Sequence, residues 1–149
     1  MGVQESDTRT MKISTIASMI LMFSIPVAHA QQWDEVVQRW PDGKPQMVNT
    51  LNGDGRDVTI IKRKAYFASG RIQMEMELKN GLPHGHFDRY YENGNKQIEG
   101  NVRDGKLHGH QTVWYESGQK KGEGEYVDDL QMPGWTHWDE EGAGPVIRK

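Results

Sequence analysis

The sequence predicts an all-β protein: an elongated, antiparallel β-meander of repeated hairpins, preceded by a signal-peptide helix. Two observations predict this fold. Sixteen of the 17 glycines follow residue 30, and many of them recur at a fixed spacing. Between them, apolar and polar side chains alternate with a period of two, which is the spacing of a strand and not of a helix. We therefore expect short strands joined by glycine turns.

Composition excludes several classes of function before any motif is considered. The 149 residues contain no cysteine, which removes disulfides, thiolate metal sites and thiol nucleophiles. The formal net charge is −3, so the chain lacks the basic surface that nucleic-acid binding needs. We therefore expect no nucleic-acid partner. The motifs considered below add the expectation of no cofactor and of a protein that is not an enzyme.

The first 30 residues have the three-part pattern of a secretory signal peptide. Lys12 precedes an apolar run over residues 13–27, and the small residues Ala28 and Ala30 lie where a signal peptidase cleaves. Cleavage after Ala30 predicts a mature chain that begins at Gln31 and is periplasmic or secreted. It would contact the membrane only through the signal peptide. An uncleaved anchor is the alternative, and translation could start at Met1 or Met11.

A repeat of 24 residues organises the rest of the chain. The segment 90–94, Tyr-Tyr-Glu-Asn-Gly, recurs as Trp-Tyr-Glu-Ser-Gly at 114–118, and similar segments stand at 66–70 and 138–142. Segment 39–43 has the same form and lies 27 residues before segment 66–70. The pattern divides the chain into an N-terminal extension with signal peptide (1–30), a divergent first repeat with an insertion (31–65), regular repeats (66–142) and a tail (143–149). Its shared turn glycines are Gly43, Gly70, Gly94, Gly118 and Gly142.

Each repeat has room for two strands and two turns. The glycine of the first turn is expected to adopt a left-handed conformation in a three-residue hairpin loop with a bulge. Asn80-Gly81 and Asp104-Gly105 predict the second turn. Between turns, Met74, Met76 and Leu78 should lie on one face, with Glu75 and Glu77 on the other. Outside the signal segment, only residues 33–37 are compatible with a helix.

The repeat aligns aromatic residues in two rows that form the candidate binding surface. Equivalent positions lie two strands apart, about 9–10 Å. Adjacent positions should face opposite sides of the sheet, with Tyr90 beside Ile98 and Val102, and Trp114 over Gly122 and Gly124. The rings could instead stabilise the thin sheet. The first row is Tyr66, Tyr90, Trp114 and Trp138, and the second is Phe67, Tyr91 and Tyr115.

These motifs resemble the bacterial variant of the MORN repeat. The resemblance rests on the aromatic-aromatic-x-Asn/Ser-Gly turn and on the Asn/Asp-Gly-x-x-His-Gly segment at 80–85 and 104–109. It implies a β-hairpin array that binds rather than catalyses, with motif residues that are structural. Relatives of this kind are often labelled antitoxins. Met132-Pro133-Gly134 departs from the pattern where a His-Gly turn is expected.

Several polar groups invite a chemical interpretation. His84 with His86, and His108 with His110, could chelate zinc or copper, although His84 and His108 occupy the repeat's own turn position. The ladder Glu75, Glu99 and Glu123 could perform acid–base chemistry, but is more typical of a solvated face. Residues 52–57 resemble part of a calcium loop without its final glutamate. We expect no metal site at any of them.

One basic cluster, Lys62-Arg63-Lys64, is interpreted as a charged edge strand, with a patch for anionic lipid or peptidoglycan carboxylates as the alternative. The leading hypothesis is an exported, non-enzymatic repeat module that binds a protein or a cell-envelope component. Two alternatives stay open: an antitoxin or immunity protein that neutralises a toxin, and a protein that binds anionic lipid. The sequence leaves the oligomeric state undecided.

Overall fold

The computed structural model describes residues 31–54 and 57–141. These residues form eleven strands and no helix, so none of them provides a helix that could span a membrane. The strands are β1 (Gln31–Arg39), β2 (Pro45–Gly53), β3 (Val58–Tyr66), β4 (Ile72–Lys79), β5 (Leu82–Tyr90), β6 (Lys96–Arg103), β7 (Lys106–Leu107), β8 (Gly109–Trp114), β9 (Lys120–Val127), β10 (Leu130–Gln131) and β11 (Thr136–His137).

All the strands belong to one sheet, and every pairing is antiparallel. Strands that pair are consecutive in the chain, with two exceptions: β6 pairs with β8 as well as with the short β7, and β9 pairs with β11 as well as with β10. The predicted meander is confirmed for the described residues. The predicted signal peptide lies outside them.

The helix considered for residues 33–37 is wrong, because these residues lie in β1. Trp33 pairs with Leu51 and Val36 with Val48 across the first hairpin. The apolar residues Trp33, Val36 and Val37 have helical spacing, but their side chains are exposed and find no second apolar surface. Backbone pairing with β2 therefore decides the conformation of this segment.

The first turn of the repeat has the predicted geometry. In the third unit, the Gly94 amide donates to the Tyr91 carbonyl (3.0 Å), and the Tyr91 amide donates to the Asn95 carbonyl (2.9 Å). Gly94 has φ +97°, a left-handed value that side chains disfavour. The same two hydrogen bonds recur at Gly43, Gly70 and Gly118. Gly142 lies outside the described residues.

The second turn also has a single form, and the structure adds a copy that the sequence analysis missed. Asn80 and Gly81 have φ +52° and +79°, which is typical of a two-residue turn between paired strands. Asp104 and Gly105 repeat these values. Asp128 and Asp129 adopt the same conformation, with φ +50° and +71°, although neither is glycine.

The His-Gly segments are bulges and not hairpin turns, which corrects the position expected for His84 and His108. Gly85 has φ +106° inside β5. The register shifts there, since Met76 pairs with Phe87 but Leu78 with Pro83. Gly109, with φ +95°, begins β8 after the same interruption. A left-handed glycine within the strand path re-aims the chain without reversing it.

A single sheet offers two faces and no enclosed core. Buried apolar residues in the described part of the chain are Val48, Leu78 and Phe87. Because partners in an antiparallel ladder share a face, the register defines each side. The apolar face carries two rows of side chains. The first row is Met47, Ala65, Met74, Arg89, Ile98 and Val113, and the second row is Glu35, Asn49, Arg63, Met76, Phe87 and Gly100. The carboxylate face carries Val36, Val48, Lys64, Glu75, Asp88, Glu99, Thr112 and Glu123.

Strand bulges change two of the predicted face assignments. The register shifts before Trp114, so Val113 and not Trp114 lies opposite Gly122. A ring does lie over Gly124, but it is that of Trp135. In the preceding unit the shift before Tyr90 leaves Arg89 opposite Ile98. The alternation of Met74, Met76 and Leu78 against Glu75 and Glu77 is as predicted.

Candidate binding surfaces

Residues of the first aromatic row lie at the strand ends that lead into the glycine turns. All four rings are half-buried. The Lys96 ammonium stands 5.8 Å from the ring centroid of Trp114, and that of Lys120 stands 5.3 Å from Trp138. Both distances permit a cation–π attraction. Burial raises the pKa of the Tyr66 and Tyr90 hydroxyls, with nearby carboxylates adding to the effect.

The second aromatic row connects consecutive turns. The Tyr91 hydroxyl donates to the Trp114 carbonyl at 3.0 Å, and the Tyr115 hydroxyl donates to the Trp138 carbonyl at 3.1 Å. Trp40 occupies the same repeat position and donates its indole N–H to the carbonyl of Tyr66. Phe67, also at this position, has no polar group to donate. These rings therefore have a structural role, and the sequence analysis left Trp40 out of their row.

A second set of hydrogen bonds links consecutive turns through the residue that follows the turn glycine, in three of the described turns. The Lys44 ammonium donates to the Ala68 carbonyl (3.3 Å), and the Asn95 side-chain amide donates to that of Glu116 (2.9 Å). The Arg71 guanidinium donates the equivalent hydrogen bond to the backbone carbonyl of Glu92 at 2.8 Å. Lysine, arginine and asparagine differ in charge and shape, but each carries an N–H donor. Because the repeat position keeps the donor and not the residue type, the sequence pattern does not indicate that this position links the turns.

At the opposite end of the hairpins, the histidines that precede the bulge glycines, His84 and His108, each approach an aspartate of the next repeat. Nδ1 of His84 lies 3.1 Å from Oδ1 of Asp104, and Nδ1 of His108 lies 3.3 Å from Oδ1 of Asp128. The Gly105 amide also donates to the Pro83 carbonyl at 2.8 Å. A hydrogen bond from Arg103, aided by His108, holds the pKa of Asp128 below its usual value.

The remaining histidines pair with carboxylates of their own. Nε2 of His86 lies 3.1 Å from Asp88, and Nδ1 of His110 lies 3.2 Å from Glu125. Within residues 31–54 and 57–141, no group of three or more His, Asp or Glu side chains is placed to hold a metal ion. The calcium-loop interpretation of 52–57 concerns a segment only partly among those residues.

Each carboxylate of the glutamate ladder is bound by a lysine. The Lys62 ammonium lies 2.7 Å from Glu75, that of Lys120 lies 2.7 Å from Glu123, and Lys96 contacts Glu99. Hydrogen bonding to Glu75 raises the pKa of Lys62, and hydrogen bonding from Lys120 lowers that of Glu123. The ladder is a set of ion pairs along a half-exposed face.

The prediction that the basic cluster forms an edge strand is wrong. It lies in β3, between β2 and β4. Lys62 and Lys64 point to the carboxylate face, where both approach Glu75, at 2.7 and 3.9 Å. Arg63 points to the apolar face and donates from Nε to the Asn49 side-chain oxygen at 2.9 Å. Strand alternation splits the three charges between the two faces.

The apolar face combines methionine and branched aliphatic side chains with two arginines. Met74 stands between Ala65 and Arg89, and Ile98 stands between Arg89 and Val113. These apolar side chains are half-buried, and each strand makes most of its contacts with its neighbours in the sheet. Arg89 is exposed and forms no ion pair with any described residue. No motif in the sequence indicates this surface, because strand register decides which side chains share it.

A single antiparallel sheet of structurally equivalent hairpins defines a β-hairpin repeat protein, in which each unit packs on its neighbours. The family model for the MORN repeat variant matches residues 83–104 and 107–128. The predicted resemblance to the MORN repeat variant is thus confirmed over those residues. No curated protein matches the chain.

Proposed function

We propose that this protein is a non-catalytic binding module whose partner, a protein or a cell-envelope component, covers the apolar face. MORN repeats are generally associated with binding, which supports the role of a binding module. One observation supports the choice of the apolar face: no described element packs on Met74, Ile98 or Val113 from above the sheet. Sheets normally bury an apolar face against a second layer.

The aromatic rows remain a second candidate surface on this proposal. Trp114 and Trp138 are half-exposed at the turns, and aromatic rings with adjacent cations are frequent in binding surfaces. In the second row, the hydroxyls of Tyr91 and Tyr115 already donate to backbone carbonyls, so these hydrogens are not available to a partner. The apolar face is therefore the surface that we favour.

Site-specific photo-crosslinking in living cells distinguishes the two surfaces. A photoreactive residue at Met74 reports on the apolar face, one at Trp114 on the first aromatic row, and one at Glu125 on the carboxylate face as a control. Glu125 is exposed and lies two residues beyond Glu123 on β9. We expect a discrete crosslinked product from Met74 and none from Glu125. A product from Trp114 alone would transfer the site to the aromatic row, and no product from any position would contradict the proposal.

We also propose export through cleavage after Ala30, on the strength of the signal-peptide pattern. Mass spectrometry of the mature protein from cell fractions tests it. A chain that begins at Gln31 in the periplasmic or secreted fraction is the expected result. A full-length chain in the cytoplasm would contradict it.

An antitoxin or immunity role stays a proposal that rests on the family resemblance alone. Protection of cells from a toxin encoded beside this chain would support it. In that case the Met74 crosslink should capture the toxin itself.

A further inference from the structure

We infer that the occupant of the apolar face is an acidic amphipathic helix of another protein. This inference rests on the proposed function and adds the chemistry of the partner. Three features of the described residues support it: the apolar rows, the two arginines within them, and the scarcity of carboxylates on the same side of the sheet.

The charges of the sheet are sorted by face. Glu75, Asp88, Glu99 and Glu123 lie on the carboxylate face, where three of them are bound by lysines and Asp88 shares Lys96 with Glu99. In the two central rows of the apolar face, the one carboxylate is Glu35, on the edge strand β1. The half-buried Arg63 and the exposed Arg89 therefore form no ion pair with a carboxylate of these two rows.

The two arginines stand well apart and keep donors free. Arg63 uses Nε for Asn49, which leaves its terminal nitrogens without a described partner, and Arg89 has no described hydrogen bond or ion pair. A guanidinium recognises carboxylates through paired N–H donors. Apolar surface between two such donors suits a partner that offers apolar side chains flanked by carboxylates.

A second copy of this chain does not satisfy these requirements. Packing two apolar faces against each other would place four arginines in one interface. The carboxylates available within the described rows would be the two copies of Glu35, on the edge strands β1. Like charges that approach across an interface disfavour association. The occupant must bring carboxylates of its own.

The spacing of the arginines sets the spacing of those carboxylates. Arg63 and Arg89 are separated by two strands and by two residues along the strand, since Arg63 pairs with Met76 and Met76 with Phe87. Strand geometry makes this about 12 Å between Cα atoms. Residues i and i+7 or i+8 of a helix are about 10.5–12 Å apart and share a face. Apolar residues at i+3 and i+4 would then lie over Met76 and Met74.

Two designed helical peptides test the inference against the full-length protein. They share leucines at i+3 and i+4 and differ only at i and i+7, which are glutamate in one and lysine in the other. We expect the glutamate peptide to bind at least about tenfold more tightly in fluorescence anisotropy, because it gains charge-assisted hydrogen bonds. Arg89→Gln should abolish most of this preference, and Arg89→Glu should reverse it.

Lys79→Glu is the matched control, since Lys79 is exposed and pairs with Leu82 at the rim of the sheet, away from both arginines. It makes the same change of charge and should leave the preference unaltered. Circular dichroism of each variant verifies that the fold is intact.

Equal binding of the two peptides, or an equal effect of Arg89→Glu and Lys79→Glu, would overturn the inference. Vesicles of anionic and of zwitterionic phospholipid form a further arm. Sedimentation with the anionic vesicles, lost in Arg89→Gln and accompanied by no peptide preference, would also overturn it in favour of a lipid surface. A failure of this kind leaves the Met74 crosslink intact, whereas loss of that crosslink would contradict the proposed function itself.

Discussion

Single residues in this sheet are constrained by backbone conformation and by the close approach of rings. Turn glycines such as Gly94 have open space around the position of a β-carbon, so their requirement is the left-handed φ. Gly100 and Gly124 have no such φ and are constrained by contact. A β-carbon at Gly100 would stand 3.0 Å from the Phe87 ring, and one at Gly124 would overlap the Trp135 ring.

Replacement of Gly124 by alanine should destabilise the fold through this overlap. We expect the free energy of unfolding to fall by about 1–3 kcal/mol, the usual cost of overpacking. Urea unfolding of the variant measures the effect. In a Trp135→Ala background the same Gly124→Ala substitution should change stability by less than about 0.5 kcal/mol, because the obstructing ring is absent. Equal costs in the two backgrounds would show that the ring is not the cause.

In the regular repeats, neighbouring hairpins of the array are joined at both ends. At the glycine-turn end, Tyr91 and Tyr115 bond to the next turn, and at the other end His84 and His108 approach the aspartates of the next two-residue turn. These contacts recur with the period of the sequence repeat. Motif residues therefore stabilise the interface between units more than the unit that contains them.

Tyr115→Phe removes one of these links and retains the ring. We expect a loss of about 0.5–1.5 kcal/mol in the free energy of unfolding, the net contribution of a single hydrogen bond. Tyr66→Phe provides the comparison, because the Tyr66 hydroxyl makes no hydrogen bond with the described residues. Chemical denaturation of both variants side by side measures the difference. A loss from Tyr66→Phe as large as that from Tyr115→Phe would argue against the role of the hydroxyl in linking turns.

At the scale of the molecule, the described residues form a one-dimensional array, since each strand makes most of its contacts with its neighbours in the sheet and few of these residues bury an apolar side chain. Stability in such arrays is a sum over units and over the interfaces between them. Central strands have two partners, whereas β1 pairs only with β2, and β10 and β11 contribute two residues each.

Hydrogen exchange should consequently be graded along the array. Amides of β4, β5 and β6 are expected to exchange most slowly, and those of β1, β10 and β11 most rapidly, because terminal units open without disrupting the rest. Exchange measured by NMR or mass spectrometry on the native protein reports this gradient. Uniform protection from β1 to β9 would instead indicate one cooperative unit.

Prediction from the sequence was reliable wherever a local rule decides the backbone. Asn80-Gly81 specifies its turn through the left-handed conformations that asparagine and glycine tolerate. Asp128-Asp129 forms the same turn without that signal, supported by bonds to Arg103 and to the Leu107 amide. The candidate site was harder to predict, since Arg63 and Arg89 are unremarkable in sequence and become neighbours on one surface through pairing across β4.

The sequence by itself determined the all-β class, the period of the hairpins and the position of the glycine turns, because left-handed residues and alternation act over a few neighbours. Only the tertiary structure decided which side chains share a face. Bulges at Tyr90 and Trp114 shift the alternation by one residue, and a shift of one residue moves a side chain to the other side of the sheet. That is why Trp135 and not Trp114 covers Gly124, and why the apolar face with its two arginines emerged from strand register and not from motif.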